Sequence, residues 1–579
     1  MLAAVLLTTS LAQTGWPASG PSLCAVSPLL QIRPTSTCAD FGPRSTCEHA
    51  HIDIVAQRGE VESAQLLLRF GTSLDAKDAS LHDVSVALTP TGSTPPPYTA
   101  VIFQVGYVNA THSPRYEGSG GGWRPDPLIA IASGVASFDV PADTAQGIWF
   151  DLAVSTTAAP GSYAATLVVE ARSSSTAYKL SVAVNLTIVA TAMPTIAEST
   201  IGTAWSGSWS DAAFAPYYGA KAWSTNATLR SMWFDAAIAH RTPPDAIYLS
   251  SPRSVDDFEL LVGEKGVQWL ALLDVTSLPL TPPPMAAPST TLLLPPEEYR
   301  TRPPHLLHRG ARRDRMHTGN SGSCANYTAE YVERLLALLA PSVAALTSKG
   351  LLANAYVYGF DECPLSCRPQ VEKLFGAIKR KWPSLQTAAV LNWSPMPVDI
   401  PLDIWILQYQ EFRPDDVKPW SAANKLMWLY HCIEPHRCVW LSLCNPSLSL
   451  TPNPFTTHTQ RSLGYLNTFI ERPGYEDRLL FWHAAALEAE HQNPTGWLYY
   501  AVDLWKPCTE SGCGGKHLPK VLERTTVGSL HNTAFTDFPP ANFIWSPTYD
   551  DIFVNGDGQY WYPCAGGVPC ATIRIKNIR

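Results

Sequence analysis

The chain has 579 residues, 46% apolar and 16% charged. This composition excludes wholesale disorder, which needs low hydrophobicity and high charge. The length allows roughly two to four domains, and a formal net charge of −8, from 41 basic and 49 acidic residues, does not suit a nucleic-acid partner. The 50 prolines imply many loops, and 19 tryptophans with 22 tyrosines suit either a large aromatic core or neutral ligands with flat faces, such as sugar rings.

In chain order, Met1–Ala12 is apolar, then small and polar, with Ser10 and Ala12 at the −3 and −1 positions of a cleavage site. A short signal peptide over residues 1–12 is expected, although no Lys or Arg precedes the apolar stretch. No other stretch reaches about 18 unbroken apolar residues, so no membrane span is expected. Twelve of the 13 cysteines fall in close groups: Cys24/Cys38/Cys47, Cys363/Cys367, Cys432/Cys438/Cys444, Cys508/Cys513 and Cys564/Cys570. Short-range bridges are expected, with connectivity open. Five Asn-x-Ser/Thr sequons begin at Asn109, Asn185, Asn226, Asn326 and Asn392. Signal, cysteines and sequons together point to the secretory pathway, lysosomal or extracellular. His431, Cys432, His436 and Cys438 cluster, but no second half with zinc-finger spacing follows. No metal is expected there, nor is a cofactor implied.

Residues 21–192 read as a β-sandwich. In Leu180–Val189, Val182, Val184, Leu186 and Ile188 alternate with Ser181, Ala183, Asn185 and Thr187. The apolar set faces a core and the Asn185 sequon faces solvent. Ile52–Phe70 reads as two strands joined through Arg58-Gly59-Glu60, and Asp83–Leu88 and Ala164–Glu170 as further strands.

Residues 193–530 alternate strand and helix, predicting a (β/α)8 TIM-like barrel. The eight candidate strands are Ile201–Trp205, Ala246–Ser250, Val267–Leu273, Asn354–Phe360, Gln386–Leu391, Asp403–Leu407, Lys425–Tyr430 and Gly496–Val502. The best helix is Thr328–Ser348, with Val332, Leu335, Leu336, Leu339, Val343 and Leu346 on one stripe, Gly350 closing it and Pro341 expected to kink it. Pro369–Trp382 and Ser462–Gln492 follow, and no helix is visible between the fifth and sixth strands. Residues 276–323 form a Pro/Arg-rich insertion at the catalytic end of the barrel. Residues 531–579 are a C-terminal segment.

The sharpest chemical feature is AYVYGFDEC (355–363), a strand ending in Asp361-Glu362. Barrel enzymes carry catalytic groups where strands end. Adjacent strand residues point to opposite faces, so both carboxylates reach one pocket only if the strand breaks, and Cys363-Pro364 favours a break. Ordinary glycosidases hold their carboxylates on either side of the sugar, about 5 Å apart or more. Sequence neighbours fit better a mechanism in which the substrate's own 2-acetamido oxygen is the nucleophile. One carboxylate then stabilises the acetamido group and the other protonates the leaving oxygen. An exposed acidic loop is the alternative. Asp399, Glu411 and Glu434 are fallback carboxylates for an ordinary two-sided pair.

Several segments together resemble glycoside hydrolase family 123, the β-N-acetylgalactosaminidases. They are VAQRGEVESAQLLLRF (55–70), YGFDE (358–362), KLMWLYHCIEP (425–435), the 478–506 helix-to-strand segment ending in Trp505, GDGQYWYP (556–563) and TIRIKNIR (572–579). The resemblance implies retaining, substrate-assisted release of terminal β-linked N-acetylgalactosamine from glycans or glycolipids. It makes Glu362 the general acid/base and Asp361 the group that accepts the acetamido N–H. The family pattern continues past Arg579, which leaves open a fragment or a variant with an incomplete barrel edge. Strand-end candidates for substrate binding are Trp205, Trp393, Tyr409, Tyr430, Asp503 and Trp505. Asn392 both opens a sequon and falls at a strand end, where a glycan would block the pocket. The rival readings are a glycosidase of other specificity with a two-sided pair, and a non-catalytic secreted carbohydrate-binding protein on a hydrolase scaffold.

Overall fold

The computed structural model describes residues 20–41, 51–71, 80–110, 122–280, 325–431, 466–502 and 560–579, apart from positions 93–94, 175, 208, 394, 410–411, 467, 469, 471, 490–493, 501 and 565–566. The segment 1–12, most of the 276–323 insertion, Cys432, His436 and Cys438 lie outside the described residues.

Ten strands open the chain: β1 (Gly20–Val26), β2 (His51–Arg58), β3 (Val61–Gly71), β4 (Ser80–Pro90), β5 (Tyr98–Ala110), β6 (Gly122–Ile131), β7 (Phe138–Pro141), β8 (Ala145–Val154), β9 (Gly161–Arg172) and β10 (Ala177–Ala192). They form two five-stranded sheets, ordered β1-β3-β8-β5-β6 and β2-β10-β9-β4-β7. Leu66, Leu68 and Phe150 of one sheet meet Val86, Leu167 and Val184 of the other in a single core. The alternation read in β10 holds, with Val182, Val184, Leu186 and Ile188 buried and their neighbours exposed. Asn185 lies on the outer face, donating to Asp53 at 2.9 Å. The Arg58-Gly59-Glu60 joint makes no hairpin, because β2 and β3 belong to opposite sheets. Gly59, at φ +75°, carries the chain across.

A third sheet is wholly parallel and has eight strands: β11 (Gly202–Ser206), β12 (Pro244–Asp245), β13 (Leu270–Asp274), β14 (Ala355–Tyr358), β15 (Gln386–Val390), β16 (Ile404–Gln408), β17 (Leu426–His431) and β18 (Pro494–Tyr500). Its order is β12-β11-β18-β17-β16-β15-β14-β13, a nearly closed, barrel-like sheet. One expected strand is displaced. The ladder uses Pro244–Asp245 rather than Ala246–Ser250. Side chains bridge the gap between β12 and β13. The buried Asp245 carboxylate accepts the Ala271 N–H at 3.2 Å, the Tyr356 hydroxyl at 2.8 Å and the Arg253 guanidinium at 2.8 Å. Arg253 in turn donates to the Ala271 carbonyl.

Successive strand residues face opposite sides. On β14, Tyr356 and Tyr358 point inward with Ala388, Ile404, Trp428 and Tyr430. Ala355 and Val357 point outward into the larger core beneath the helices. Those helices include α1 (Ala227–Ala239), α2 (Ala329–Ser348), α3 (Arg368–Lys381), α4 (Pro414–Ala422) and α5 (Gly474–Ala489). α2 begins at Thr328, whose hydroxyl accepts the Tyr331 N–H, and buries Tyr331, Leu335, Leu339, Val343 and Leu346. It continues through Pro341. α5 starts at Gly474, later than the period suggested, because Pro473 precedes it. Among the described residues no helix joins β15 to β16. No helix among the described residues is long and apolar enough to cross a membrane.

The last 20 residues bind sandwich to barrel. β19 (Trp561–Pro563) and β20 (Pro569–Ala571) lead into α6 (Ile573–Ile578). Arg574 reaches Asp126 of β6 through two nitrogens, at 2.8 and 3.0 Å, and Tyr562 donates to the same carboxylate at 2.7 Å. Lys576 lies 2.6 Å from Asp151 of β8, which Ser63 and Trp149 also hold. On the barrel side, Tyr560 packs edge-on against Trp205 and Tyr499. Fully buried ion pairs add little net stability over an apolar contact but are costly to break, so they fix the docking geometry.

Two disulfides join Cys24 to Cys38 and Cys564 to Cys570. The neighbours Cys363 and Cys367, whose pairing the sequence left open, are not bonded to each other. Cys363 is a free, buried thiol, and Cys367 is bonded to a cysteine outside the described residues. The turn after β14 directs Cys363 into the core, where burial and the nearby Asp361 charge push its thiol up to about 12.

Arg574→Ala leaves the Asp126 carboxylate buried without its cation. It should cost about 3–5 kcal/mol, read as a lowered urea midpoint. An unchanged midpoint would show that the seam does not depend on this pair.

Candidate active site

β14 ends at Tyr358, and the next four residues form a strained turn. Phe360 has φ +59° and Glu362 φ +50°. This left-handed region costs a non-glycine residue about 1–3 kcal/mol unless its surroundings hold it. They do. The Phe360 ring is buried edge-on between Tyr327 and Phe375. The Glu362 N–H donates to the Val390 carbonyl at 2.8 Å, and the Val275 N–H to the Tyr358 carbonyl. Gly359 is required by close packing: a Cβ there would meet Val275 Cγ2 at 2.9 Å and Thr276 Cγ2 at 3.1 Å. Two left-handed residues in three break the strand alternation, so both carboxylates sit at one end of the barrel-like sheet.

Tyrosines clasp the two carboxylates separately. Tyr358, the last inward residue of β14, donates to Asp361 Oδ1 at 2.7 Å, and Tyr248 donates to Asp361 Oδ2 at 2.8 Å. Tyr430, the upper inward residue of β17, donates to Glu362 Oε1. Burial and the Asp361 charge push the Tyr248 and Tyr358 phenols well above their ordinary range, so both remain donors. Tyr248 stands edge-on to Tyr358 and to Tyr500, at 5.7 and 5.1 Å between ring centres. Asp361 is half-buried and Glu362 exposed. One carboxylate is thus pinned on both oxygens, and the other reaches into the open end.

A third carboxyl lies beside them. Asp274 ends β13, and its Oδ1 accepts the Thr276 N–H at 2.9 Å and the Thr276 hydroxyl at 2.6 Å. Its Oδ2 is buried without a hydrogen-bond partner. Burial, with a smaller contribution from the Asp361 charge, raises this carboxyl to about 7.

The other sequence candidates divide. Tyr430 joins the pair. Trp393 is buried, and its indole N–H donates to the Cys363 carbonyl at 2.8 Å, bracing the turn from behind. Tyr409 is buried with its ring 5.7 Å from Trp497. Trp205 is 1% exposed in the core beneath the helices, so the structure does not bring it to the pair. Asp503 and Trp505 lie outside the described residues, as do the fallback Glu411 and Glu434. Asp399 is held in a surface bridge to Arg368 at 2.9 Å. Asn392 is exposed just beyond β15. Tyr248, Tyr358 and Asp274 are site residues that the sequence reading missed. Tyr358 could have been found from the strand period, as the inward neighbour of Tyr356. Tyr248 could not, because it belongs to a segment that leaves the sheet.

No family model matches the chain, and no curated protein matches it. Among solved structures, the fold is similar to that of a family 123 glycoside hydrolase from Clostridium perfringens, whose study concerns glycolipid glycan hydrolysis. The two are 10% identical, with a TM-score of 0.58 over 97% of this chain and 86% of that one. A β-glucuronidase of Parabacteroides merdae matches 83% of this chain and 47% of its own at 10% identity, but its TM-score of 0.25 carries no argument. The fold is therefore family 123-like, as the motif resemblance implied.

Asp274 links stability to pH. Its folded value, about 7, lies above the ordinary 3.8, so between those values the folded state holds more protons. Its contribution is full below about pH 4 and lost as pH rises through about 7. The stability of the wild type relative to Asp274→Asn should therefore fall by about 4 kcal/mol across that window. Parallel urea titrations check this, and a difference that stays flat with pH would contradict it.

Proposed function

We propose that the chain is a glycoside hydrolase that releases terminal β-linked N-acetylgalactosamine from glycans or glycolipids by a retaining, substrate-assisted mechanism. The observation that carries this reading is the single turn holding two sequence-adjacent carboxylates, one pinned by Tyr248 and Tyr358 and the other by Tyr430. Sequence neighbours on one turn do not flank a sugar from opposite faces. They suit a reaction in which the nucleophile belongs to the substrate. The family 123-like fold supports the hydrolase class, and the motif resemblance alone supplies the galactosamine preference.

In this mechanism Glu362 protonates the leaving oxygen as the glycosidic bond breaks. The substrate's acetamido oxygen attacks the anomeric carbon from the opposite face and forms an oxazolinium ion. Asp361 accepts the acetamido N–H and stabilises the positive charge, while the two phenols keep its carboxylate from rotating away. Glu362 then takes a proton from water as the water opens the ring, restoring the original anomeric configuration. We read the parallel sheet as a (β/α)8 barrel whose β12–β13 seam Asp245 and Arg253 complete. The Cys24–Cys38 and Cys564–Cys570 bridges support an oxidising, secretory-pathway location.

Glu362→Gln should lower turnover of a natural β-N-acetylgalactosaminide by about 10²–10⁴. It should lower it much less for an aryl glycoside, whose leaving group needs little protonation. Asp361→Asn should reduce both substrates alike, because it acts on the cyclised intermediate. If both variants hydrolyse both substrates at the wild-type rate, the chemistry lies elsewhere.

A further inference from the structure

The proposed mechanism uses Asp361 and Glu362 and leaves the buried Asp274 without a task. Asp274 is 1% exposed at the C-terminal end of β13, beside the strand that carries the pair. A Cβ on Gly359 would lie 3.7 Å from its Oδ1, so the start of the catalytic turn rests almost on this carboxyl. Oδ1 is fixed by two hydrogen bonds from Thr276, whereas Oδ2 is buried with no partner among the described residues.

The ionisable groups that face Asp274 are Asp361 on the turn, Tyr358 on β14, and Tyr327 and Tyr331 at the start of α2. Each is a carboxyl or a phenol, and among the described residues no cation acts on Asp274. Tyr327, like Asp274 Oδ2, has a buried oxygen without a partner. A negative charge at Asp274 would therefore be desolvated, uncompensated and repelled by Asp361.

We propose that Asp274 is a positioning residue for the hydrolysis proposed above, on which this inference rests: as a neutral carboxyl it leaves Asp361 as the charge that faces the acetamido group, and when ionised it disables the site. The acetamido N–H and the oxazolinium ion need one carboxylate in one orientation. A second charge directly behind Asp361 raises the cost of keeping that carboxylate ionised. It also pushes against the strained turn through Gly359. The loss on the alkaline side of the pH profile then belongs to Asp274, not to deprotonation of the general acid. The raised protonation range of this carboxyl, near neutrality, agrees with such a role.

The test is the pH dependence of kcat and KM for an aryl β-N-acetylgalactosaminide, compared between wild type, Asp274→Asn and Thr276→Val. The aryl leaving group hides most of the requirement for Glu362. In the wild type, kcat should fall about fivefold between pH 7 and pH 8, with KM little changed. In Asp274→Asn, a neutral isostere, that fall should vanish from this range. Thr276→Val keeps the shape of the residue but removes the hydroxyl bond that favours the ionised carboxyl. Its alkaline limb should move to higher pH, a readout that survives if the Asn variant does not fold. An alkaline limb at the same pH in all folded proteins overturns the proposal while leaving the hydrolase reading intact. Absence of turnover in every protein, wild type included, overturns the hydrolase reading and this proposal with it.

Discussion

The site depends on one constraint: two neighbouring carboxylates must be clasped by separate partners yet lie at the same end of the barrel-like sheet. A regular strand would send them to opposite faces. The chain resolves this with a turn in which Phe360 and Glu362 adopt left-handed backbone angles. The clasp on that turn comes from inward positions of the barrel-like sheet. On β14, Tyr356 binds Asp245 at the seam and Tyr358, two residues later, binds Asp361. On β17, Trp428 fills the interior and Tyr430 binds Glu362. One strand period thus ties the β12–β13 seam of the sheet to the orientation of the two carboxylates.

A similar logic holds the antiparallel sheets against the parallel one. Asp126 and Asp151 project from the sandwich, and the C-terminal helix supplies Arg574 and Lys576. Such pairs lose much of their Coulomb gain to desolvation, so they define a docking geometry more than they stabilise it. Apolar contacts of Tyr560 and Trp561 on the barrel complete the junction. The sandwich therefore buttresses the scaffold and contributes no described side chain to the carboxylate turn.

Much of this was legible in the sequence because strand period is a local property. β10 and seven of the eight strands of the parallel sheet were located within a few residues. The eighth, β12, was misplaced because Pro243 and Pro244 shorten the ladder and a carboxylate–guanidinium pair takes over its role, which no periodicity encodes. At the site, Asp361 and Glu362 were readable from their place after a strand, and Tyr430 from its strand end. Trp205 satisfies the same rule but points outward, and one residue of register decides between pocket and core. Tyr248 and Asp274 acquire their roles from contacts across 113 residues and across neighbouring strands, beyond the reach of local pattern.

The account rests on the claim that the substrate's acetamido group, rather than a protein carboxylate, attacks the anomeric carbon. The most direct measurement is inhibition by the thiazoline analogue of N-acetylgalactosamine, which mimics the cyclised intermediate, beside mass spectrometry of protein treated with a 2-fluoro galactosyl reagent that traps a covalent glycosyl-enzyme. The account predicts competitive thiazoline inhibition that weakens in Asp361→Asn, with no mass added by the fluoro reagent. A stable adduct on Glu362 or Asp361, with no inhibition by the thiazoline, would contradict it.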